Sequence, residues 1–132
     1  SAYSINATSG ALTPMAGSPF ATEPGPRGVA VDPSGKFLYV ANAEELDFVS
    51  AYTINATSGA LTPVAGSPFA VGTGPFGVAV DPSGKFLYVS NSGSNNVSVY
   101  SINTTSGALT PVAGSPFAAG SSPRGIAVSP PF

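Results

Sequence analysis

The 132-residue chain contains no cysteine, no histidine and no tryptophan, and only four of its residues are basic. Without cysteine it can form neither a disulfide framework nor a thiolate metal site. Without histidine it lacks the most common general base and the most common metal ligand. A formal net charge of −2 offers no basic surface to nucleic acid or to an anionic membrane. We therefore expect no cofactor and no nucleic-acid partner, and no catalytic group is evident.

Long apolar runs and charged residues are also scarce. No stretch reaches the roughly 18 apolar residues that cross a bilayer, so we expect no membrane span. The 16 glycines and 14 prolines would suit a disordered chain, but 42% of the residues are hydrophobic and regularly spaced, which favours a folded one. Only 8% of the residues are charged. A surface rich in serine and threonine and poor in charge leads us to expect an extracellular or cell-surface protein.

What the chain does have is an internal repeat. The stretch GVAVDPSGKFLYV occupies residues 28–40 and again 77–89, and it begins a third time as GIAV at residue 125. The matching tyrosines Tyr3, Tyr52 and Tyr100 are spaced by 49 and 48 residues. A period of this length indicates a propeller blade or a solenoid turn. We predict a partial blade at 1–22, blades at 23–71 and 72–119, and a lone inner strand at 120–132.

Each unit contains four segments typical of β-strands: GVAV (a), FLYV (b), VSVYSIN (c) and LTPVAGSPFA (d). The Asp32-Pro33-Ser34-Gly35 stretch between a and b is typical of a hairpin turn. The prolines of d remove backbone donors, which places d at an outer edge, whereas the small strand a suits a crowded inner position. We predict an all-β fold of tandem four-stranded antiparallel propeller blades. A linear β-solenoid is the alternative.

The repeated motif resembles a known family. PRGVAVDPSGKFLYVAN begins at Pro26 and recurs as PFGVAVDPSGKFLYVSN from Pro75. It is similar to the repeat of the seven-bladed lactonase-like propellers, the family that includes bacterial 6-phosphogluconolactonase, and of the related YVTN-type propellers. The resemblance implies lactone hydrolysis in a pocket at one mouth of the channel, with charged residues and histidine. Because the chain has no histidine, we expect the fold without the enzyme activity.

The strands c and d at the start and a at the end predict an incomplete blade that lacks strand b. Unpaired strand edges pair with other chains, and blades bury their faces only against neighbours. We therefore predict a partial propeller completed by association with itself, either as a closed oligomeric ring or as a filament. The Ser129-Pro130-Pro131-Phe132 ending favours a real terminus, because two prolines stop a ladder. A truncated fragment is the alternative.

Arg27 and Arg124 occupy the same place in the repeat, directly before the glycine of strand a, and Phe76 is there in the middle copy. In a propeller this place lies near the mouth of the channel. Two guanidinium groups there could bind a small anionic ligand. Alternatively, they could pair with acidic side chains or carbonyls.

Carboxylates give weaker candidates. Glu44, Glu45 and Asp47 form an acidic cluster in a loop. Their oxygens are suited to Ca²⁺, but their spacing matches no calcium loop, so a solvated loop is the simpler interpretation. Asp32 and Asp81 occupy equivalent turns, and capping of those turns explains both.

Four asparagines lie in N-x-S/T sequences that accept glycans in secreted proteins: Asn6, Asn55, Asn103 and Asn96. The first three share the turn between c and d, where ordinary turn chemistry explains them equally well.

Taken together, these features predict a structural or binding propeller module that self-associates. The competing hypotheses are a lactone hydrolase of the resembled family, and a consensus repeat or fragment without biological activity.

Overall fold

The computed structural model describes residues 1–130, and the strands in this range form three antiparallel sheets. The first sheet, which we call the half-blade, has only two strands: β1 (Tyr3–Ile5) and β2 (Leu12–Pro14). None of the described segments is a helix long and apolar enough to cross a membrane.

Two full blades follow the half-blade. The first full blade contains β3 (Pro26–Val31), β4 (Phe37–Ala43), β5 (Asp47–Ile54), β6 (Leu61–Pro63) and β7 (Phe69–Ala70). The second full blade contains β8 (Pro75–Val80), β9 (Phe86–Asn91), β10 (Asn96–Ile102), β11 (Leu109–Pro111) and β12 (Phe117–Ala118). The pairing order is β3-β4-β5-β6 in one blade and β8-β9-β10-β11 in the other. This is the predicted order a-b-c-d.

The outer strand d is divided in two, which we did not predict. Both β6 and β7 pair with β5, and both β11 and β12 pair with β10. Between β6 and β7 the chain turns at Gly66, whose φ is +89°. A positive φ suits glycine and interrupts an extended strand. The prolines keep this divided strand at the edge of the sheet.

The a–b hairpins explain the Asp-Pro-Ser-Gly sequence. The Asp32 carboxylate accepts hydrogen bonds from the backbone N–H groups of Lys36 and Phe37, both at 2.8 Å, and a bond from the Ser34 hydroxyl. Gly35 has a φ of +72°, as the end of this turn requires. The turn therefore fixes the start of β4, the strand at the centre of the blade.

The inner strands of successive blades touch, which explains their glycines. A Cβ on Gly28 would collide with the carbonyl oxygen of Phe76, and a Cβ on Gly77 would collide with that of Arg124. β3 therefore lies against β8, and β8 lies against residues around Arg124. Only glycine, which has no Cβ, allows the backbone of the next inner strand to come this close.

The predicted lone inner strand differs from the structure. Residues 123–130 lie in no strand, and Pro131 and Phe132 lie outside the described residues. The segment nevertheless lies where the next strand a belongs, because the Ser90 hydroxyl donates to the Arg124 carbonyl at 2.7 Å. Each of β3 and β8 is held by a neighbouring strand b. No described strand pairs with residues 123–130, and they form no strand.

Candidate functional site

The two full blades pack face to face, and this contact forms the hydrophobic core. We call the side of a blade that faces the preceding unit its front face, and the opposite side its back face. The back face of the first full blade supplies Phe37, Tyr39, Val49, Ala51, Val64 and Phe69. The front face of the second full blade supplies Val78, Val80, Leu87, Val89, Tyr100, Ile102 and Leu109. Alternate residues of each strand face opposite neighbours, as the period of two requires.

Tyrosine hydroxyl groups fix the register of this contact. Tyr39 on the back face donates to the carbonyl of Gly107 at 3.0 Å. Tyr100 on the front face donates to the carbonyl of Ala70 at 2.6 Å. Burial raises the pKa of both phenols, and the nearby Asp32 charge raises that of Tyr39 further. Both hydroxyls therefore stay protonated as hydrogen-bond donors.

The half-blade packs on the first full blade in the same way. Tyr52, the equivalent of Tyr100, donates to the carbonyl of Ala21 at 3.0 Å. Ala21 is in turn the equivalent of Ala70. The bond from tyrosine to the alanine of the preceding unit is therefore a repeated feature. We did not predict this bond, although the 49- and 48-residue spacings of its tyrosines were visible in the sequence.

Among the described residues, two apolar faces have no cover, and a third, the front of the first full blade, is covered only in part by the half-blade. The front of the half-blade exposes Tyr3, Ile5 and Leu12. The front of the first full blade exposes Val29 and Val31. The back of the second full blade exposes Phe86 and Phe117 in a shallow apolar depression, which is also lined by Tyr88, Val97, Val99 and Val112. Of the large hydrophobic side chains that are exposed in residues 1–130, only Leu46 lies elsewhere.

These open faces repeat the covered ones position by position. Ile5 is 70% exposed, whereas Ile102, its equivalent two units later, is 7% exposed. Phe86 is 37% exposed, whereas Phe37, its equivalent one unit earlier, is 4% exposed. The sequence of strand b predicts inter-blade core positions for Phe37, Tyr39, Phe86 and Tyr88. That prediction is wrong for Phe86, because no blade within residues 1–130 lies on it.

Beside the half-blade lies a groove of about 630 Å³. One wall is the front of the first full blade, including Val29, Val31, Leu38 and Val40. The other wall is the half-blade, with Met15 and Phe20. The groove lies where strands a and b of a complete blade would be.

The structure brings the predicted channel-mouth residues together. The Arg27 guanidinium carbon is 5.6 Å from the centre of the Phe76 ring, and that of Arg124 is 5.4 Å from it. Arg27 also donates to the carbonyl of Ala43 at 3.1 Å. Each exposed cation–π contact contributes about 0.5–1 kcal/mol. Two cations on one aromatic ring form a small positive surface.

The two full blades differ in their polar centres. In the first, Asn42 is fully buried and its Oδ1 accepts a hydrogen bond from the Thr22 hydroxyl at 3.0 Å. In the second, Asn91 is also fully buried, but its Oδ1 has no hydrogen-bond partner. Val71 occupies the sequence position equivalent to Thr22. The missing hydroxyl accounts for the unpaired oxygen.

The acidic residues of the predicted loop do not form a metal site in the part of the chain that the structure describes. Within residues 1–130 no three acidic side chains gather to hold a metal ion, so Glu44, Glu45 and Asp47 form no such group. Asp47 accepts a hydrogen bond from the Gly74 N–H at 3.0 Å, which ties the loop between the full blades.

The side-chain oxygens of Asn6, Asn55 and Asn103 cap their exposed turns. Asn96 instead binds the Asn91 amide at 2.8 Å and is half-buried. The three turn asparagines are thus more accessible than Asn96.

Comparison with known proteins agrees with this architecture. A family model described as lactonase, 7-bladed beta-propeller matches residues 1–76, more than half of the chain. A comparison with curated proteins gives no match.

Several solved structures are similar to the chain. A candidate 6-phosphogluconolactonase from Bacteroides fragilis is 26% identical with a TM-score of 0.71, over 76% of this chain and 27% of its own. The periplasmic gluconolactonase of Pseudomonas aeruginosa is 23% identical with a TM-score of 0.73, over 92% and 34%. A Lactobacillus plantarum protein is 21% identical with a TM-score of 0.75, over 93% and 36%. The chain thus spans about a third or less of each of these structures.

Proposed function

We propose that this chain, which belongs to the lactonase family of seven-bladed β-propellers, is a propeller module that associates with further copies of itself through its open blade faces. One observation supports the proposal: the residues of the exposed blade faces are the repeat equivalents of residues that are buried between the two full blades. The front of the half-blade and the back of the second full blade are the two sides of a contact that the chain already makes once internally.

The side chains on the two open faces are complementary. On the front of the half-blade, Tyr3, Ile5 and Leu12 correspond to the buried Tyr100, Ile102 and Leu109. The internal contact places that second set against the back face of the first full blade. The half-blade of one copy therefore fits the back face of the second full blade of another. Burying each large apolar side chain contributes about 1.5–3 kcal/mol.

The hydrogen bonds of the internal contact have equivalents at the open faces. By the repeat, the Tyr3 hydroxyl would donate to the Ala118 carbonyl of the next copy, as Tyr100 donates to Ala70. The Tyr88 hydroxyl would donate to the Gly10 carbonyl, as Tyr39 donates to Gly107. A Cβ on Gly107 would collide with the Phe37 ring, whereas the space around Gly10 is open. That open space is suited to the Phe86 ring of another copy.

The proposed contact joins unlike faces, so it is directional. A head-to-tail contact either closes into a ring or continues as a filament. Two copies would supply about six blades, which is within the usual range for propellers. We expect such an assembly outside the cytoplasm, because the surface is rich in serine and threonine and poor in charge.

The test is the native mass in solution, measured by light scattering over a dilution series. Ile5→Glu changes the half-blade front and Phe117→Glu changes the second blade's back face. Leu46→Glu is the matched control, because Leu46 is exposed but lies on neither face. We expect a multiple of 13.0 kDa for the wild type and the control, and 13.0 kDa for the two face variants. A monomeric wild type would contradict the proposal.

Lactone hydrolysis is the second candidate function. It is favoured by the Arg27–Phe76–Arg124 cluster, whose cations could hold the oxygen of a small anionic sugar lactone or its developing charge. The solved structures named for lactonase activity support the same idea. Hydrolysis of a sugar lactone by the assembled protein, lost in Arg27→Ala and Arg124→Ala but kept in Lys36→Ala, would establish it. No hydrolysis above the uncatalysed rate would exclude it.

A further inference from the structure

Three equivalent turns carry the same asparagine motif. They connect β1 to β2, β5 to β6 and β10 to β11, and the motif occupies residues 6–8, 55–57 and 103–105. Every residue of the three motifs is exposed. The motif therefore recurs once in each unit, at the same end of each sheet.

The asparagine of each motif uses only its side-chain oxygen to hold the turn. Asn55 Oδ1 accepts hydrogen bonds from the backbone N–H groups of Thr57 and Ser58, both at 2.9 Å. Because both partners are donors, the atom that faces the turn is the oxygen and not the amide nitrogen. Asn6 and Asn103 make the same pair of bonds. The amide nitrogen Nδ2 can therefore carry a substituent while the turn stays intact.

The threonine of each motif serves the turn with its backbone N–H, not with its hydroxyl. The hydroxyl that closes the turn belongs to the next residue, because Ser58 Oγ accepts a hydrogen bond from the Ala60 N–H at 3.2 Å. Turn chemistry thus accounts for the asparagine and the serine, but any residue with an N–H could stand at position 57. A hydroxyl two residues after an asparagine is what attachment of an N-linked glycan requires.

A fourth motif of this kind, Asn96-Val97-Ser98, lies in a different environment. Asn96 begins β10 and pairs with residues of both β9 and β12. Its Oδ1 accepts hydrogen bonds from the Asn91 amide at 2.8 Å and from the Ser94 hydroxyl at 3.0 Å. Ser98 is 4% exposed, and its hydroxyl accepts a bond from Asn91. This motif lies inside a sheet and has no room for a bulky group.

We propose that Asn6, Asn55 and Asn103 are acceptor sites for N-linked oligosaccharides and that Asn96 is not. In the transfer, Nδ2 loses one proton and bonds to C1 of the first sugar. The bond from C1 to the oxygen of a lipid-linked diphosphate breaks, and the diphosphate leaves with the electron pair. The inference rests on the proposed location outside the cytoplasm, and it does not depend on self-association.

The glycans are compatible with packed blades. A Cβ on Gly107 would lie 2.5 Å from the Phe37 ring, so this turn is in close contact with the neighbouring blade. Asn103, four residues earlier in the same turn, is nevertheless exposed. An oligosaccharide on Asn103 can therefore extend into solvent while the blade contact is kept. Glycans hydrate a surface, which suits a chain with only 8% charged residues.

The test is a site map of the glycans. The protein is secreted from a eukaryotic host behind a removable leader, and its glycans are released enzymatically in heavy-oxygen water. This treatment marks each formerly glycosylated asparagine as a labelled aspartate, which mass spectrometry of the peptides detects. We expect labels at Asn6, Asn55 and Asn103, and none at Asn96. A glycan on Asn96, or a secreted protein without glycans in the three turns, would overturn the proposal.

Three variants separate the glycan from the turn. Thr57→Ala removes the hydroxyl but keeps the N–H, so the label at Asn55 should disappear while the urea midpoint of the unglycosylated protein stays unchanged. Thr57→Ser should keep the label. Ser58→Ala removes the bond to Ala60 and should also keep it. Loss of the label in Ser58→Ala as complete as in Thr57→Ala would contradict the assignment.

Self-association is measured separately, as the native mass of the protein produced without the leader and therefore without glycans. A protein that associates but accepts no glycan would overturn this inference alone. A protein that accepts glycans but stays monomeric would overturn the self-association proposal alone.

Discussion

The two full blades share two long identical runs, residues 28–40 with 77–89 and residues 57–70 with 105–118, yet they bury opposite sides. The first covers its back face, with Phe37 4% exposed, and leaves Val29 and Val31 open on its front. The second covers its front face, with Leu87 fully buried, and leaves Phe86 37% exposed on its back. Identical side chains thus have different environments. In a repeat protein, burial depends on the neighbouring unit as much as on the sequence.

The comparison also extends to the centre of each blade. Asn42 has a hydroxyl partner from Thr22, whereas Asn91 Oδ1 has none because Val71 replaces that threonine. The buried asparagine of the first full blade therefore has a hydrogen-bond donor for its Oδ1, and that of the second does not. The predictions below test these differences in the Phe117→Glu background, where association does not contribute.

The largest difference is expected at the equivalent phenylalanines. Phe37→Ala should lower the free energy of unfolding by about 3–5 kcal/mol, because it leaves a cavity in the core. Phe86→Ala should lower it by less than about 1 kcal/mol, because that ring is partly exposed. Urea unfolding followed by tyrosine fluorescence measures both. Equal losses would show that the second blade's back face is covered in the single chain.

The next effect concerns the tyrosine hydroxyls. Tyr100→Phe removes the donor to the Ala70 carbonyl, and we expect a loss of about 1 kcal/mol in the free energy of unfolding. Tyr3→Phe should have no measurable effect on the single chain, because none of residues 1–130 covers the front face on which Tyr3 lies. A loss at Tyr3 equal to that at Tyr100 would contradict the open front face.

The hairpin aspartates should make stability depend on pH. Burial opposes ionisation of Asp32, but hydrogen bonds from the Ser34 hydroxyl and from backbone N–H groups outweigh it, so its pKa lies below the ordinary 3.8. The same balance lowers the pKa of Asp81. This contribution is present above the unfolded pKa near 3.8 and is lost as pH falls through the folded pKa.

Asp32→Asn should therefore cost about 1–2 kcal/mol near neutral pH and less at pH 3, since charge-assisted bonds are replaced by weaker ones. Asp81→Asn should cost less, because Asp81 is the more exposed of the two. Unfolding curves at a series of pH values give both numbers. A wild-type stability that stays constant down to pH 2 would contradict the lowered pKa values.

The smallest effect is expected at the buried asparagines. Val71→Thr should raise the free energy of unfolding by up to about 1 kcal/mol, because its hydroxyl can donate to Asn91 Oδ1. Thr22→Val should lower stability by a similar amount, because it leaves Asn42 Oδ1 unpaired. If both variants are destabilised equally, the missing hydroxyl does not explain the difference between the blades.

Much of the fold could be predicted from the repeat. The prolines of strand d and the small residues of strand a predicted the order of the strands. The repeat period predicted that Arg27, Phe76 and Arg124 lie at equivalent positions. The division of strand d could not be predicted, because it depends on a turn at Gly66 inside a segment with strand-like composition. The exposure of Phe86 could not be predicted from its local sequence, because burial at that position depends on what packs against the back face, and none of residues 1–130 does. The unpaired Asn91 oxygen depends on a residue 20 positions earlier.

The most direct test of the central claim is to mix the two face variants. Ile5→Glu keeps the back face of the second full blade, and Phe117→Glu keeps the front of the half-blade. Each variant alone should have a mass of 13.0 kDa by light scattering, and their equimolar mixture should give 26.0 kDa, twice that value. A mixture that stays monomeric while the wild type associates, or a variant that associates alone, would contradict the head-to-tail contact.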